Sequence, residues 1–582
     1  MKGFVPVVVA ALVGHALAAP PEPPTRVLEE RAARATVVLA PSSTVIGSAG
    51  AGVEGFRGIP YAVPPVGPLR LKPPVRRTTG LGTFDGTSIE AACPQFLVGT
   101  ATGNNLLTDV LAQVGQLLNT PLFQTVTTQS EDCLTINVVR PAGTKAGDKL
   151  PVLFWIFGGG FELGWTSMYD GSSLVSNAIA SGKPFIFVAV NYRVGSLGFM
   201  PGKEILKDGS ANLGLLDQRM GLEWTADNIA AFGGDPDKVT IWGESAGSIS
   251  VLDQMLLYDG NNKYKGKPLF RGAIMNSGSI VPADPVDCPK GQVIYDTVVK
   301  AAGCSGSADT LACLRSLPIE KLLNSGNSVP GILSYNSVAL SYLPRPDGKI
   351  ITDTPDVLIT QGKYAAVPMI IGDQEDEGTL FSLFQSNTTS TTAKLADYLG
   401  KIFFQGATSQ ELTELVNTYD PSPVAGSPFR TGLLNEVYPG FKRLAAILGD
   451  LIFTLSRRAF LTAAIGVNPN VPAWSYLSSY DYGTPILGNF HGGDLLQVFY
   501  GILPNYASKS IQSYYANFVY NLDPNDASGG TSAKSQVALK WPQWKEKGQL
   551  MNFYNIGAQL ISDDFRADSF EWIMGHIPQL HI

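Results

Sequence analysis

The chain has 582 residues, of which 45% are hydrophobic and 16% are charged, and its formal net charge is −7. This composition supplies ample apolar surface for a folded core and excludes an intrinsically disordered chain. The acidic balance and the lack of a basic run predict no nucleic-acid partner and no attachment to an anionic membrane surface.

The N-terminal residues have the pattern of a secretory signal peptide, which we assign to residues 1–18. Lys2 supplies the positive start, residues 4–13 are apolar, and Ala16-Leu17-Ala18 matches the small-residue cleavage pattern. The apolar run is too short to span a bilayer, and no later run reaches about 18 apolar residues. We therefore expect a secreted, extracellular protein without a stable membrane anchor. Residues 19–35 are predicted to be a linker or a short propeptide, and residues 36–582 to be a single domain.

Short apolar runs without polar alternation recur along the chain and predict strands that are buried on both faces. A helix-like segment, residues 213–231, lies between two of them. The order of strand, helix and strand predicts an α/β fold with a large, mostly parallel sheet and helices on both faces. The predicted strands are residues 150–157, 184–190, 238–242, 270–275, 367–371 and 472–480.

The motif Gly243-Glu244-Ser245-Ala246-Gly247 indicates a catalytic serine because of the elements on either side of it. A predicted strand precedes it and a helix-like stretch, residues 249–257, follows it, which is the context of a nucleophile elbow. Glycines allow the close backbone approach that a strained strand-to-helix turn requires. The alternative is an ordinary glycine-rich turn, and the flanking strand and helix favour the nucleophile.

A serine nucleophile needs a base, and the chain has four histidines. His15 is lost with the signal peptide, and His576 and His581 lie in the last seven residues, where order is least secure. His491, in a glycine-rich loop after the last predicted strand, is therefore the predicted base.

The orienting acid is expected between the serine and the histidine. Residues 373–377 contain four carboxylates directly after a predicted strand, and the pattern alone leaves open which one acts. For the other three we expect a solvated acidic turn. The loop Gly158-Gly159-Gly160-Phe161, which follows a predicted strand, is expected to supply backbone N–H donors for the oxyanion, together with the N–H of Ala246. A phosphate-binding loop is the alternative for the glycines, but the P-loop Lys-Ser/Thr is missing.

An oxidising compartment favours disulfides, and the odd number of cysteines leaves at least one thiol free. The count leaves the pairing open, although the short loop between Cys304 and Cys313 is easy to close. Asn387-Thr388-Thr389 is a candidate glycosylation site or an unused surface sequon. The five cysteines are Cys93, Cys133, Cys288, Cys304 and Cys313.

Several segments together resemble the type-B carboxylesterase/lipase family of α/β-hydrolases. One matches its serine signature and one its second signature, and three others are most similar to secreted fungal lipases of the Candida rugosa type. The likeness extends from about residue 51 to the C-terminus. These segments are residues 232–247, 131–138, 341–348, 372–379 and 448–451.

The resemblance implies an α/β-hydrolase fold and a catalytic triad of Ser245, His491 and Glu377. It also implies that Gly159, Gly160 and Ala246 are the oxyanion donors, that Arg70 and Glu131 form an ion pair, and that no metal or organic cofactor is needed. Its implied disulfides, Cys93–Cys133 and Cys304–Cys313, leave Cys288 unpaired.

Residues 94–132 are predicted to form a lid insertion. Within them, residues 106–118 place seven Leu and Val side chains on one side of a helix, spanning about 140°. The alternative is an ordinary surface helix packed on the core. A lid with an apolar inner face favours long acyl chains, so we predict a lipase or sterol esterase that binds its ester substrate at a lipid–water interface.

Two other functions remain as alternatives: a short-chain or specialised carboxylesterase, and a non-catalytic, cholinesterase-like binding protein. The first shares all of the predicted catalytic residues. The second is disfavoured because serine, glutamate and histidine all occur, in the expected order. No oligomeric state is predicted.

Overall fold

A computed structural model describes residues 34–96, 126, 128–386, 389–480, 483–500, 506–525 and 539–582. The predicted signal peptide, the helix at residues 106–118 and Asn387 lie outside the described residues. The predicted linker ends too late, because Arg34 and Ala35 already belong to the first strand. Within the described part of the chain, no helix is long and apolar enough to cross a membrane.

The described residues form fifteen strands, most of them buried. In chain order these are β1 (Arg34–Leu39), β2 (Ser43–Gly50), β3 (Val53–Pro60), β4 (Gly82–Asp85), β5 (Thr135–Pro141), β6 (Leu150–Ile156), β7 (Ile186–Val190), β8 (Gly234–Glu244), β9 (Lys263–Tyr264), β10 (Lys267–Pro268), β11 (Gly272–Asn276), β12 (Met369–Gln374), β13 (Ala473–Ser478), β14 (Gln549–Tyr554) and β15 (Gly557–Ser562).

Helices connect these strands and cover both faces of the sheet. In the described segments they are α1 (Ser172–Ala180), α2 (Gly195–Phe199), α3 (Lys203–Asp208), α4 (Leu213–Asn228), α5 (Ala246–Gly260), α6 (Pro289–Ala302), α7 (Thr310–Ser316), α8 (Ile319–Gly326), α9 (Pro355–Thr360), α10 (Thr392–Ile402), α11 (Ser409–Asn417), α12 (Phe441–Gly449), α13 (Leu455–Val467), α14 (Gly493–Leu495), α15 (Tyr506–Asn521), α16 (Trp544–Lys547) and α17 (Ala567–His576).

Thirteen of the strands form one sheet in the order β1-β2-β3-β5-β7-β6-β8-β11-β12-β13-β14-β15, with β4 paired to β2. The run from β7 to β14 is parallel, whereas the pairs outside it are antiparallel except for β2 with β4. The predicted large, mostly parallel sheet is therefore confirmed. The carboxyl ends of neighbouring parallel strands meet at one edge, which is where open α/β sheets bind ligands.

An aromatic cluster lies in the core beneath the carboxyl end of β8. The rings of Trp155 and Trp242 are 4.3 Å apart, and Phe499 stacks on Trp242 at 4.7 Å. The indole N–H of Trp242 donates to the Asn276 side chain at 3.1 Å. Because Trp242 lies three residues before Ser245, this packing holds the end of β8 in place below the serine.

Candidate active site

Ser245 stands at the sharp turn between β8 and α5. Its φ of 57° and ψ of −127° are unusual for a residue with a side chain, and such strain is typical of functional turns. A Cβ on Gly243 would lie 2.2 Å from the carbonyl oxygen of Gly247, and one on Gly247 would lie 2.1 Å from that of Ile156. The turn therefore requires both glycines of the motif.

Ser245, His491 and Glu377 are buried and form one chain of hydrogen bonds. The Oγ of Ser245 is 2.8 Å from Nε2 of His491, and the Nδ1 of His491 is 2.5 Å from Oε2 of Glu377. The other Glu377 oxygen accepts the Gln374 N–H at 2.7 Å. Residues separated by more than one hundred positions in sequence thus adopt the arrangement that a nucleophile, a base and an orienting acid would require.

The environment of His491 favours its protonated form. Burial lowers the pKa of the imidazole, but the adjacent Glu377 carboxylate, with smaller effects from Glu244 and Asp494, raises it above its usual value. In its neutral form such an imidazole can accept a proton from the serine hydroxyl, and the Glu377 carboxylate stabilises the imidazolium that results.

Two of the other carboxylates in residues 373–377 form ion pairs with arginines. Asp373 is fully buried and accepts from the Arg457 Nε at 2.8 Å, and Glu375 pairs with Arg430. Burial raises the pKa of Asp373, and the charge of Arg457 opposes that shift. The predicted solvated acidic turn is therefore wrong for Asp373, because the strand end that carries this residue is inside the protein.

Asp376 contradicts the prediction of a solvated turn in a different way. Its buried carboxylate accepts from Ser427 Oγ at 2.8 Å, Phe429 N–H at 2.8 Å and Asn489 N–H at 2.9 Å. Burial, followed by the charge of Glu375, raises its pKa to about 7. Because Asn489 is two residues before the predicted base, Asp376 anchors the loop that carries that base.

Two buried acids near His491 were missed by the sequence analysis. Glu244, the variable residue of the serine motif, has Oε1 3.5 Å from His491 Nε2, and burial raises its pKa to about 8. Asp494 accepts from the Asn276 side chain at 2.9 Å, and burial raises its pKa to about 6. The sequence could have pointed to both acids, because Glu244 directly precedes Ser245 and Asp494 lies three residues after His491.

Two of the predicted oxyanion donors, Gly160 and Ala246, line the pocket that Ser245 also lines, and Gly159 directly precedes Gly160. Gly159 and Gly160 have φ angles of 114° and 64°, which favour glycine. Among the described residues, no acceptor is bonded to the N–H groups of these glycines or to that of Ala246, the first residue of α5. Gly160, Ala246 and Ser245 line the same pocket.

Together with the open space at its mouth, this pocket beside Ser245 contains about 650 Å³ that no protein atom fills. Its walls come from residues far apart in sequence, which is why sequence reasoning did not identify them. Most lining side chains are apolar, and they include Phe161, Ile249, Ile332, Val338, Leu340, Leu343, Phe381, Ile452 and Phe453. Such a surface fits a long hydrocarbon chain.

The segment predicted as a lid is held at both ends. Cys93 is bonded to Cys133, and Arg70 binds both oxygens of Glu131 at 2.6 Å. The same guanidinium donates to the carbonyl groups of Arg315 and Leu317, so the pair is fixed to the body of the protein. Cys304 is bonded to Cys313, and the buried Cys288 is not in a disulfide.

Comparison with known proteins gives consistent likenesses over nearly the whole chain. The model of the carboxylesterase family matches residues 35–570. A secreted triacylglycerol lipase of Gibberella zeae is 64% identical over 556 residues, which cover 95% of this chain and 92% of that protein.

Lipase 5 of Diutina rugosa, the yeast also called Candida rugosa, is 47% identical over 543 residues, covering 93% of this chain and 95% of that protein. The resemblance to lipases of this type is thus confirmed. Among solved structures, the chain is similar to Aspergillus niger EstA, with a TM-score of 0.77 and 26% sequence identity. The match covers 94% of this chain and 99% of the EstA chain.

Proposed function

The chain belongs to the carboxylesterase family, and we propose that it is a secreted lipase that hydrolyses long-chain carboxylic esters through an acyl-enzyme. The observation that carries the proposal is the hydrogen-bonded chain of Ser245, His491 and Glu377 at the mouth of an apolar pocket. The single sheet that runs from β1 to β15 supports one catalytic domain.

In the first half of the proposed reaction, Ser245 Oγ attacks the ester carbonyl carbon while His491 Nε2 takes the hydroxyl proton. Glu377 accepts the Nδ1–H, which fixes the tautomer and stabilises the imidazolium. The N–H groups of Gly159, Gly160 and Ala246 bind the oxyanion of the tetrahedral intermediate. His491 then gives its proton to the leaving alcohol.

In the second half, water attacks the acyl-serine ester while His491 takes one of its protons. The second tetrahedral intermediate collapses, the acid leaves and the serine recovers its proton. No group outside the triad and the oxyanion donors is needed for this cycle, because each proton removed by the imidazole is returned by it.

The apolar pocket supports long-chain substrates such as triacylglycerols or sterol esters over short-chain esters. Each CH₂ group transferred from water into such a pocket contributes about 0.8 kcal/mol, so a long chain gains most. We also propose that residues 94–132 form a lid that opens at a lipid surface. The Cys93–Cys133 bridge and the Arg70–Glu131 pair support this, because they hold both ends of the segment.

The test has two parts. One measures hydrolysis of p-nitrophenyl esters of increasing acyl length, and the other measures hydrolysis of triacylglycerols at concentrations below and above their solubility. Wild-type activity should rise with chain length, and with the appearance of the emulsion. Ser245→Ala, which removes one oxygen atom, should be secreted normally and inactive. Full activity in that variant would contradict the role of Ser245. Wild-type activity that is confined to short soluble esters would contradict only the lipase assignment.

A further inference from the structure

An open cleft, here called the Lys290 cleft, adjoins the pocket beside Ser245. Leu340 lines both of them, so the two spaces are neighbours. Together with the open space at its mouth, the cleft contains about 890 Å³ that no protein atom fills. Its walls come from α6, from residues 328–341 and from residues 401–405, and none of the proposed catalytic residues lines it.

One face of α6 forms a wall of this cleft and combines a cation with apolar side chains. Its residues follow the spacing of neighbours on one side of a helix, and they are Lys290, Val293, Ile294 and Thr297. At a rise of 1.5 Å per residue, this face extends about 10 Å. Val293 is apolar and yet 65% exposed. The wall is therefore positive at its Lys290 end and apolar next to it.

The Lys290 ammonium group has no carboxylate partner in the described part of the chain. Its Nζ donates to the Ile402 carbonyl oxygen at 2.9 Å. The Asp284 carboxylate acts on its charge but pairs with His581 instead. Burial, followed by the charge of Arg345, lowers the pKa of Lys290 to about 8, so the group is mostly charged at pH 7. Because an ammonium group has three donors and buried charges are normally paired, this one is suited to an anionic ligand.

The other charged side chain of the lining has the same sign. Lys401 also lines the cleft, and its Nζ is 2.7 Å from the Asp397 carboxylate. None of the described residues that line the cleft is acidic, although the whole chain has a net charge of −7. The cleft is therefore complementary to an anion, and its apolar wall is complementary to a hydrocarbon. A carboxylate with a hydrocarbon tail combines both, and hydrolysis of a long-chain ester releases such a molecule.

We propose that the Lys290 cleft binds the fatty carboxylate that ester hydrolysis releases. The carboxylate accepts hydrogen bonds from the Lys290 ammonium group, and the tail packs on Val293, Ile294 and Leu340. Binding is non-covalent and takes place outside the pocket beside Ser245. The site goes beyond the proposed function, and only the source of its ligand rests on that function.

The test is calorimetric titration of octanoate into protein whose neighbouring pocket is blocked. A p-nitrophenyl phosphonate with a long alkyl chain is the blocking reagent, because Ser245 Oγ bonds to its phosphorus and p-nitrophenolate leaves. The labelled protein should still bind one octanoate, about tenfold more tightly than octanol, since only the carboxylate forms a charge-assisted hydrogen bond. No binding to the labelled protein, or equal affinities for octanoate and octanol, would overturn the inference.

Variants of α6 separate recognition by Lys290 from the general effect of a positive charge. Lys290→Met keeps the aliphatic stem and should weaken octanoate binding about tenfold, whereas Lys290→Arg should retain most of it. The matched control is Lys300→Met, which makes the same change at an exposed position of α6 that does not line the cleft. The control should bind octanoate as the wild type does. Equal weakening in Lys290→Met and Lys300→Met, or none in Lys290→Met, would overturn the inference.

Failure of the phosphonate to label Ser245 would contradict the proposed function rather than this inference. The unlabelled wild type and Lys290→Met then decide between the outcomes. A tenfold loss of octanoate affinity in the variant would support the site, and equal affinities would overturn it. Hydrolysis of p-nitrophenyl butyrate should proceed at the wild-type rate in all three variants, because the cleft lies outside the catalytic residues.

Discussion

Glu162, two residues after Gly160, should make the stability of this protein depend on pH. Its side chain is fully buried, and Oε2 accepts the Ile332 N–H at 2.9 Å while Oε1 has no partner among the described residues. Burial raises its pKa from 4.5 to about 8. Between these values the folded carboxyl is protonated and the unfolded one is ionised. Since the folded state then binds more protons, the free energy of unfolding falls as pH rises through this window.

The size of the effect follows from the shift. A change of about 3.5 pKa units corresponds to roughly 4–5 kcal/mol, which is an upper limit for one buried group. Glu162→Gln removes the titration and keeps a carbonyl oxygen for Ile332. We therefore expect the free energy of unfolding of the wild type, minus that of the variant, to decrease by up to this amount from pH 4.5 to pH 8.

The assay is urea unfolding, followed by tryptophan fluorescence, at several pH values across the window. Glu320→Gln is the matched control, because it makes the same chemical change on an exposed side chain. Parallel plots of unfolding free energy against pH for the wild type and Glu162→Gln would refute the argument. The Glu162 carboxyl would then ionise at the same pH in the folded and unfolded states. A difference that increases with pH would also refute it.

Three further outcomes follow from the site. Glu377→Gln should lower kcat by several orders of magnitude, because the amide favours the wrong tautomer of the base, whereas Glu375→Gln should have little effect; the reverse order would contradict the assignment. Leu107→Asp combined with Leu111→Asp should reduce hydrolysis of emulsified long-chain esters far more than that of a soluble short ester; equal losses, or none, would remove the lid hypothesis. Thiol titration of the unfolded, unreduced protein should detect one thiol, Cys288, and three would mean that a disulfide is absent.

The sequence was sufficient for the parts of the site that local rules determine. Apolar runs predicted the central strands within a few residues of their observed bounds: residues 150–157 were expected, and β6 is Leu150–Ile156. The serine turn could be predicted because its glycines have a local steric reason. His491 followed from elimination among the four histidines, and that elimination needed no knowledge of the fold.

The acidic cluster shows where this reasoning ends. Four adjacent carboxylates resemble a solvated turn, yet Arg457 lies 84 residues from Asp373, and Arg430 lies 55 residues from Glu375. Only the fold brings each acid to its partner. The pocket was missed for the same reason, because its walls come from loops and helices that are spread over the sequence from Gly160 to Phe453.

The two carboxyl groups beside the base have different roles because their hydrogen bonds differ. Glu377 accepts a backbone N–H as well as the imidazole Nδ1–H, which supports a negative charge there. Glu244, 3.5 Å from the opposite nitrogen, has a pKa raised to about 8 by burial and so is mostly neutral at pH 7. A charged Glu244 would be a second acceptor for the Nε2–H of the imidazolium. While Glu244 is neutral, the negative charge lies on the Nδ1 side of the ring, where Glu377 stabilises the imidazolium.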